Sequence, residues 1–278
     1  MKFSARASRL AGAAIAITAL VGLAGCAAST PDTAAPAADG SDLGTIKVGA
    51  LATPAGDILK FVQDNLAADA GLTIEFVEFT DYNTPNAALS DGSIDANLFQ
   101  NATFLETYNT QAGGDLVSAG TIYLPSAAFY SDKVSSLKEL KDGAKIAIPN
   151  DPTNEGRALK LLAAEGLIKT TDEPTTIADV TSNPSNFAFV EIENATLAQA
   201  VPDVDAAFVT ISFALPAGLT GDQAILTEGA GSPYSNILAT RPELKDDARI
   251  AKLTELLLAP ETAAFMTKTW GGLVVPAE

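Results

Sequence analysis

The sequence predicts an α/β fold of alternating strands and helices, preceded by a secretion signal and a tether. Three observations predict it. Strand-like alternation and helix-like spacing take turns from residue 44 onward. An apolar N-terminal run ends at the chain's single cysteine. The stretch between the two carries no apolar face on which to fold.

Lys2, Arg6 and Arg9 precede an Ala-rich apolar run from Leu10 to Gly25, and small residues lead to Cys26. This is the three-part pattern of a secretory signal over residues 1–25. The run is short of the roughly 20 apolar residues a spanning helix needs. Leu23-Ala24-Gly25-Cys26 resembles the bacterial lipobox. That resemblance implies cleavage before Cys26 and a diacylglycerol on its thiol. Two acyl chains suffice for stable anchoring, at about 0.8 kcal/mol per buried CH₂. Residues 27–43, AASTPDTAAPAADGSDL, hold no aromatic residue and are rich in Ala, Pro, Ser, Thr and Asp. Such a stretch cannot bury enough surface to fold. Residues 26–43 therefore read as a lipidated Cys and a flexible tether reaching about 20–25 Å.

The body follows in order. Ile46, Val48 and Ala50 alternate in a strand over 45–51. Ile58, Leu59, Val62 and Leu66 lie at helical spacing over 56–68. Alternation returns through Leu72, Ile74 and Phe76. Strands near 94–98, 145–148, 187–191 and 205–209 then interleave with helices near 101–111, 154–165 and 195–201. Ser136-Leu-Lys-Glu139 is a capping box opening a short helix. Gly113 and Gly166 stand where helices stop. Apolar helices near 245–258 and 260–268 close the chain. The alternation predicts largely parallel sheets. No Pro- or Gly-rich linker divides the body, so two lobes would share strands at a hinge.

Composition narrows the function. The net charge is −17, and the signal holds three of the cations and no acid, so the secreted body is more acidic still. Such a surface repels nucleic acid. The sequence contains no His and one Cys. That excludes Ser–His and Cys–His catalysis and any His-containing zinc site. No metal or cofactor motif is present. Ser135-Ser-Leu-Lys138 matches the S-x-x-K of acyl enzymes but lacks the partner motifs S-D-N and K-T-G. The chain reads as a non-enzyme.

Four segments carry binding chemistry. Asn150-Asp-Pro-Thr-Asn-Glu-Gly-Arg157 follows a strand and opens a helix, with Thr153 or Asn154 as the expected N-cap and Arg157 in the first turn. A guanidinium fork beside free N–H groups makes an anion site. The residues alone also allow an Arg paired with a neighbouring Asp. Asp81-Tyr82-Asn83-Thr84-Pro85 and Asp95-Ala-Asn-Leu-Phe99-Gln-Asn101, running on to Phe104, put aromatics and amides near strand ends. Open α/β sheets bind ligands there, although Tyr82, Phe99 and Phe104 equally suit a core. Ser232-Pro-Tyr-Ser-Asn236-Ile-Leu-Ala-Thr-Arg241 is extended, and Asn236 suits a turn, a cap or a ligand contact.

Together DYNTPNAALSDGSIDANLFQ, KIAIPNDPTNEGR, DVDAAFVTISFA and SPYSNILATR resemble the NlpA/MetQ lipoproteins, methionine-binding components of ABC importers. The resemblance runs from about residue 44 to the C-terminus. It implies a two-lobed, type II-like periplasmic-binding-protein fold, with ligand in the cleft and closure about two hinge strands. Lobe I is expected over 44–130 plus 228–278 and lobe II over 131–227. Arg157 would hold the ligand carboxylate, Asn236 its polar head, and Asn154 would cap the helix beside Arg157. Tyr82 and Phe99 would wall a pocket in which a thioether meets aromatic edges. Asn101, Phe104, Thr210 and Asp57 stand where the family commonly has His, Tyr, Asn and Glu, and they complete the expected site. The implied partners are a methionine-like small amino acid, an ABC permease, and the bilayer through acylated Cys26. The body is expected to be a monomer on the extracytoplasmic face, without a cofactor. Another amino acid, a dipeptide, or a non-transport surface lipoprotein are the rival readings.

Overall fold

A computed structural model describes residues 42–277. The expected signal, Cys26 and the tether as far as residue 41 lie outside the described residues. The body begins slightly before the expected point, because the Leu43 amide already donates to the Gly71 carbonyl at 2.7 Å.

Strand β1 (Gly44–Leu51) buries Ile46, Val48 and Ala50 completely. Helix α1 (Asp57–Val62), continued by a wider turn to Ala67, lays Ile58, Leu59 and Val62 into the same core. Strand β2 (Leu72–Phe79) returns parallel to β1, with Leu72 opposite Gly44 and Phe79 opposite Leu51. Helix α2 (Pro85–Ser90), strand β3 (Ala96–Asn101) and helix α3 (Ala102–Ala112) follow. Gly113 ends α3 at φ +65°, the left-handed conformation expected of a helix-stopping glycine. Strand β4 (Val117–Pro125) runs through buried Ser126 into β5 (Ala127–Tyr130).

A second layer then forms from β6 (Lys145–Pro149), α4 (Pro152–Ala164), β7 (Lys169–Thr170), β8 (Val180–Ser182) and β9 (Ala188–Ile192). It continues with α5 (Asn194–Ala200), β10 (Ala206–Thr210), α6 (Ile211–Ala214) and β11 (Ala224–Thr227). The chain returns to the first layer through β12 (Asn236–Thr240), α7 (Ala248–Leu257), α8 (Pro260–Trp270) and β13 (Val274–Pro276).

The result is two sheets, one per lobe. The first has the order β13-β4-β12-β3-β1-β2 and the second β11-β5-β10-β6-β9. The strands β7 and β8 make a separate small pair. Both main sheets are mixed rather than largely parallel. Strands β2-β1-β3 and β9-β6-β10 run parallel, whereas β4, β5, β11, β12 and β13 pair antiparallel. The helical crossovers impose the parallel part. Strands β4, β5, β11 and β12 flank the two passages between sheets and have no such crossover. Sheet membership sets the first passage at Ser126, ahead of the expected boundary after Tyr130, because β5 pairs with β10 and β11.

The second sheet is buried on both faces, and the period of two shows it. Ala127, Phe129, Ile146, Ile148, Ala206 and Phe208 face one core. Ala128, Tyr130, Ala147, Ala207 and Val209 face the other. Each fully buried Ile, Leu or Phe side chain contributes about 1.5–3 kcal/mol. The sequence reading missed β4 and β5 for the same reason. Ile122 to Tyr130 is nearly all apolar, so it shows no alternation. Its length and β-branched or aromatic content were the available signal.

Candidate functional site

Six segments of the chain deliver polar and aromatic side chains to one place between the sheets. The turn after β2 is clamped by Asp81, whose Oδ1 accepts from the Asn83 amide at 2.7 Å and the Thr84 amide at 2.9 Å. That clamp fixes the backbone at Tyr82. Strand β3 carries Phe99, Gln100 and Asn101, all buried within the strand rather than beyond its end. Asn101 also caps α3, accepting from the Phe104 amide at 3.0 Å.

The aromatic wall is edge-on rather than stacked. Phe99 and Phe104 lie 5.6 Å apart at 80°, and Tyr82 and Phe104 6.1 Å apart at 70°. Phe213 of α6 joins from the second lobe, 4.9 Å from Tyr82. The Tyr82 hydroxyl pairs with Thr210 Oγ1 at 3.0 Å. Burial raises the Tyr82 phenol above its ordinary value, partly offset by its bond to Thr210, so the hydroxyl stays protonated.

A closed amide network supports Gln100. Asn86 Nδ2 donates to Gln100 Oε1 at 2.8 Å, Asn97 Nδ2 to Asn86 Oδ1 at 2.9 Å, and Gln100 Nε2 to Asn97 Oδ1 at 2.9 Å. Asn86, Asn97 and Gln100 are at most 2% exposed. The amides pair with one another, and Asn97 Nδ2 also donates to the Pro85 carbonyl at 3.4 Å, so none is left unpaired at that depth. On the next strand, Asn236 Nδ2 donates to the Tyr123 hydroxyl at 3.1 Å.

Helix α4 differs from expectation at its start. Asp151 is the N-cap, accepting from the Asn154 amide at 2.9 Å, and Pro152 takes the first helical position. Proline is favoured there because its missing N–H costs nothing. Asn154 therefore lies inside the helix, where its Nδ2 donates to both oxygens of Asp151 at 3.1 Å. Arg157 falls in the second turn, a turn away from the free N–H groups, so the helix end contributes less at Arg157 than the sequence reading supposed. Gly156 is required where it stands. A Cβ there would lie 2.0 Å from the Pro174 carbonyl oxygen.

The Arg157 guanidinium is 3% exposed and grips both passages between the lobes. Nε donates to Glu228 Oε1 at 2.9 Å, and Nη2 makes a very short contact with Glu228 Oε2. Nη2 also donates to the Pro125 carbonyl at 3.0 Å. One face stacks on Tyr234, with Cζ 4.8 Å from the ring centre. Nη1 makes no hydrogen bond to the described residues. The pairing with an acid left open by the sequence is real, but the acid is Glu228 rather than a neighbouring Asp.

Tyr82, Phe99, Gln100, Asn101, Phe104, Pro125, Asn154, Arg157, Thr210 and Asn236 line one cavity. The cavity is small, about 20 Å³. That is the room of about one water, so a ligand enters only if the lobes or side chains part. Every expected site residue except Asp57 of the body lines this cavity. Asp57 heads α1, and the inward stripe of Ile58, Leu59 and Val62 turns it to solvent. Gln100, Pro125, Phe213, Tyr234 and Glu228 were missed. Gln100 and Tyr234 sat within segments already singled out; Glu228 carried no local signal.

Comparison with known proteins gives the context. A family model described as NlpA lipoprotein matches residues 46–278. The D-methionine-binding lipoprotein MetQ of Salmonella typhi is 38% identical over 241 residues, 84% of this chain and 89% of its own. A nutrient-binding protein from Burkholderia cenocepacia, solved bound to methionine, is 39% identical with a TM-score of 0.81, covering 84% of this chain and 100% of that one. The periplasmic substrate-binding protein of an ABC transporter from Coxiella burnetii is 39% identical with a TM-score of 0.80, again over 84% and 100%.

Proposed function

The chain belongs to the NlpA lipoprotein family, the lipid-anchored, extracytoplasmic solute-binding proteins of ABC importers, and from that premise we propose that it captures methionine or a closely related amino acid between its lobes. The lobes in this reading are residues 44–125 with 236–278, and residues 127–227, with Ser126 and 228–235 as the hinge passages. Cys26 bears the lipid, and the tether lets the monomeric body reach the permease.

One observation carries the ligand reading. Residues drawn from six separate segments converge on a single cavity in which Arg157 keeps Nη1 without a partner among the described residues. Arg157 then takes the carboxylate through that free group. Asn236, Thr210 and the Tyr82 hydroxyl supply neutral acceptors for the ammonium. Tyr82, Phe99 and Phe104 offer ring edges to a thioether. The small residual space means binding is coupled to opening and closing of the lobes. The chemistry is capture and release, with no covalent step.

Isothermal titration of the secreted body with L-methionine, after unfolding and refolding to strip carried ligand, tests this. Sub-micromolar affinity is expected, falling about 100-fold or more in Arg157→Ala, since a buried carboxylate loses its charged partner. Absence of binding by folded wild type overturns methionine. Equal binding by Arg157→Ala overturns the site.

A further inference from the structure

We propose that Glu228 is a specificity-determining residue, which neutralises Arg157 and thereby tunes the cavity to zwitterionic ligands over simple carboxylate anions. The inference rests on the ligand reading above and deepens it.

Arg157 is the one charged residue among the ten that line the cavity. The other lining groups are amides, hydroxyls, rings and a proline. Glu228 is not part of that lining; it lies behind the guanidinium, in the second passage between the lobes. The pair is buried, with side-chain exposures of 3% and 10%. The acids closest to Arg157 in sequence are engaged elsewhere: Asp151, the cap of α4, by Asn154 and Asn194, and Glu155, within α4, by the Ile177 amide. Lys160 lies beyond the pair, on the outer side of α4.

The electrostatic consequence is direct. An unpaired guanidinium in this cavity would attract any carboxylate, and would repel the ammonium that an amino acid brings with it. With Glu228 in place the charge of the Arg157–Glu228 pair sums to zero. A zwitterion then enters with each of its charges compensated, while a simple anion leaves a net negative charge in a poorly solvated space. Glu228 also takes the Nε edge of the fork, which leaves Nη1 for the ligand. Specificity here comes from repulsion of the wrong ligand as much as attraction of the right one.

The test compares L-methionine with 4-(methylthio)butanoate, which keeps the side chain and carboxylate and lacks the ammonium. Both are titrated into wild type, Glu228→Gln and Glu228→Asp. Wild type is expected to prefer methionine. Glu228→Gln should lose about tenfold or more of that preference and gain affinity for the butanoate. Glu228→Asp keeps the charge and should keep the preference. A purely structural role would weaken both ligands alike, so an unchanged ratio in Glu228→Gln overturns the proposal. Should Glu228→Gln lack a cooperative thermal transition, Glu228→Met, of similar volume and no charge, carries the same expectation. A parallel thermal-shift comparison of glycine with acetate separates the two readings. If wild type ignores methionine, the ligand assignment fails. Glu228 then stands or falls on whether its neutral variant favours acetate over glycine more than wild type does.

Discussion

The Tyr82 hydroxyl and Thr210 Oγ1 meet at 3.0 Å across 128 residues of sequence, joining the lobe of the first sheet to that of the second. Tyr82 is anchored by the turn after β2, and Thr210 is the last residue of β10. Both are buried, and because the bond spans the two sheets, parting of the lobes at this point would break it.

Tyr82→Phe keeps the ring and removes this bond. A buried hydrogen bond contributes about 1 kcal/mol, so methionine affinity should fall about fivefold through a shift toward the open form. Titration calorimetry checks the affinity, and small-angle scattering should show a larger radius of gyration for the liganded variant. Unchanged affinity would remove the bond from the closing mechanism.

Gly156→Ala places a methyl group against the Pro174 carbonyl, where 2.0 Å is available to the new Cβ. Either α4 or the 174–177 segment must move. Overpacking of this kind costs about 1–3 kcal/mol. The denaturation midpoint should drop, and because Arg157 is the next residue, methionine binding should weaken as well. A variant with wild-type midpoint and affinity would mean that the segment moves freely.

Glu155 gives a pH dependence. It is 2% exposed, and burial raises its carboxyl to about 7, opposed by the Ile177 amide bonded to its Oε1 at 2.6 Å and reinforced by Glu191, Asp151 and Asp179. The folded state therefore holds the proton more tightly than the unfolded chain, whose carboxyl titrates near 4.5. The stabilising contribution is complete below pH 4.5 and is lost as pH rises through 7. Glu155→Gln keeps an oxygen for Ile177 and cannot ionise. Its melting temperature should exceed that of wild type at pH 8, by up to about 2–3 kcal/mol in stability, and the advantage should vanish at pH 4. An equal difference at both pH values would contradict the assignment.

Asn86→Ala removes the hub of the amide network beneath Gln100 and leaves Asn97 Nδ2 and Gln100 Nε2 short of acceptors. Unsatisfied buried amides cost about 1–3 kcal/mol each. Chemical denaturation should show the loss. Methionine affinity should fall further than the stability loss alone explains, because Gln100 lines the cavity.

Much of this protein was legible in its sequence, and the legible part was local. The alternation of Ile46, Val48 and Ala50 and the spacing of Ile58, Leu59 and Val62 report burial on one face, which a short window records. Gly113 ends its helix as expected because a left-handed residue is a local need. The absence of His and the lone Cys excluded whole classes of chemistry without any structure. The segments bearing Tyr82, Phe99, Arg157 and Asn236 stood out by their own residues.

What only the tertiary structure decided was pairing at a distance. Asp151 rather than Thr153 or Asn154 caps α4, because Pro152 fits the first helical position and Asn154 turns back onto Asp151. The strands on either side of Ser126 divide between two sheets, a matter of which strand each finds as neighbour. Arg157 meets Glu228 across 71 residues. Sequence spacing carries no information about that contact, because it depends on the order of strands within each sheet and on the passage that brings the chain back between them.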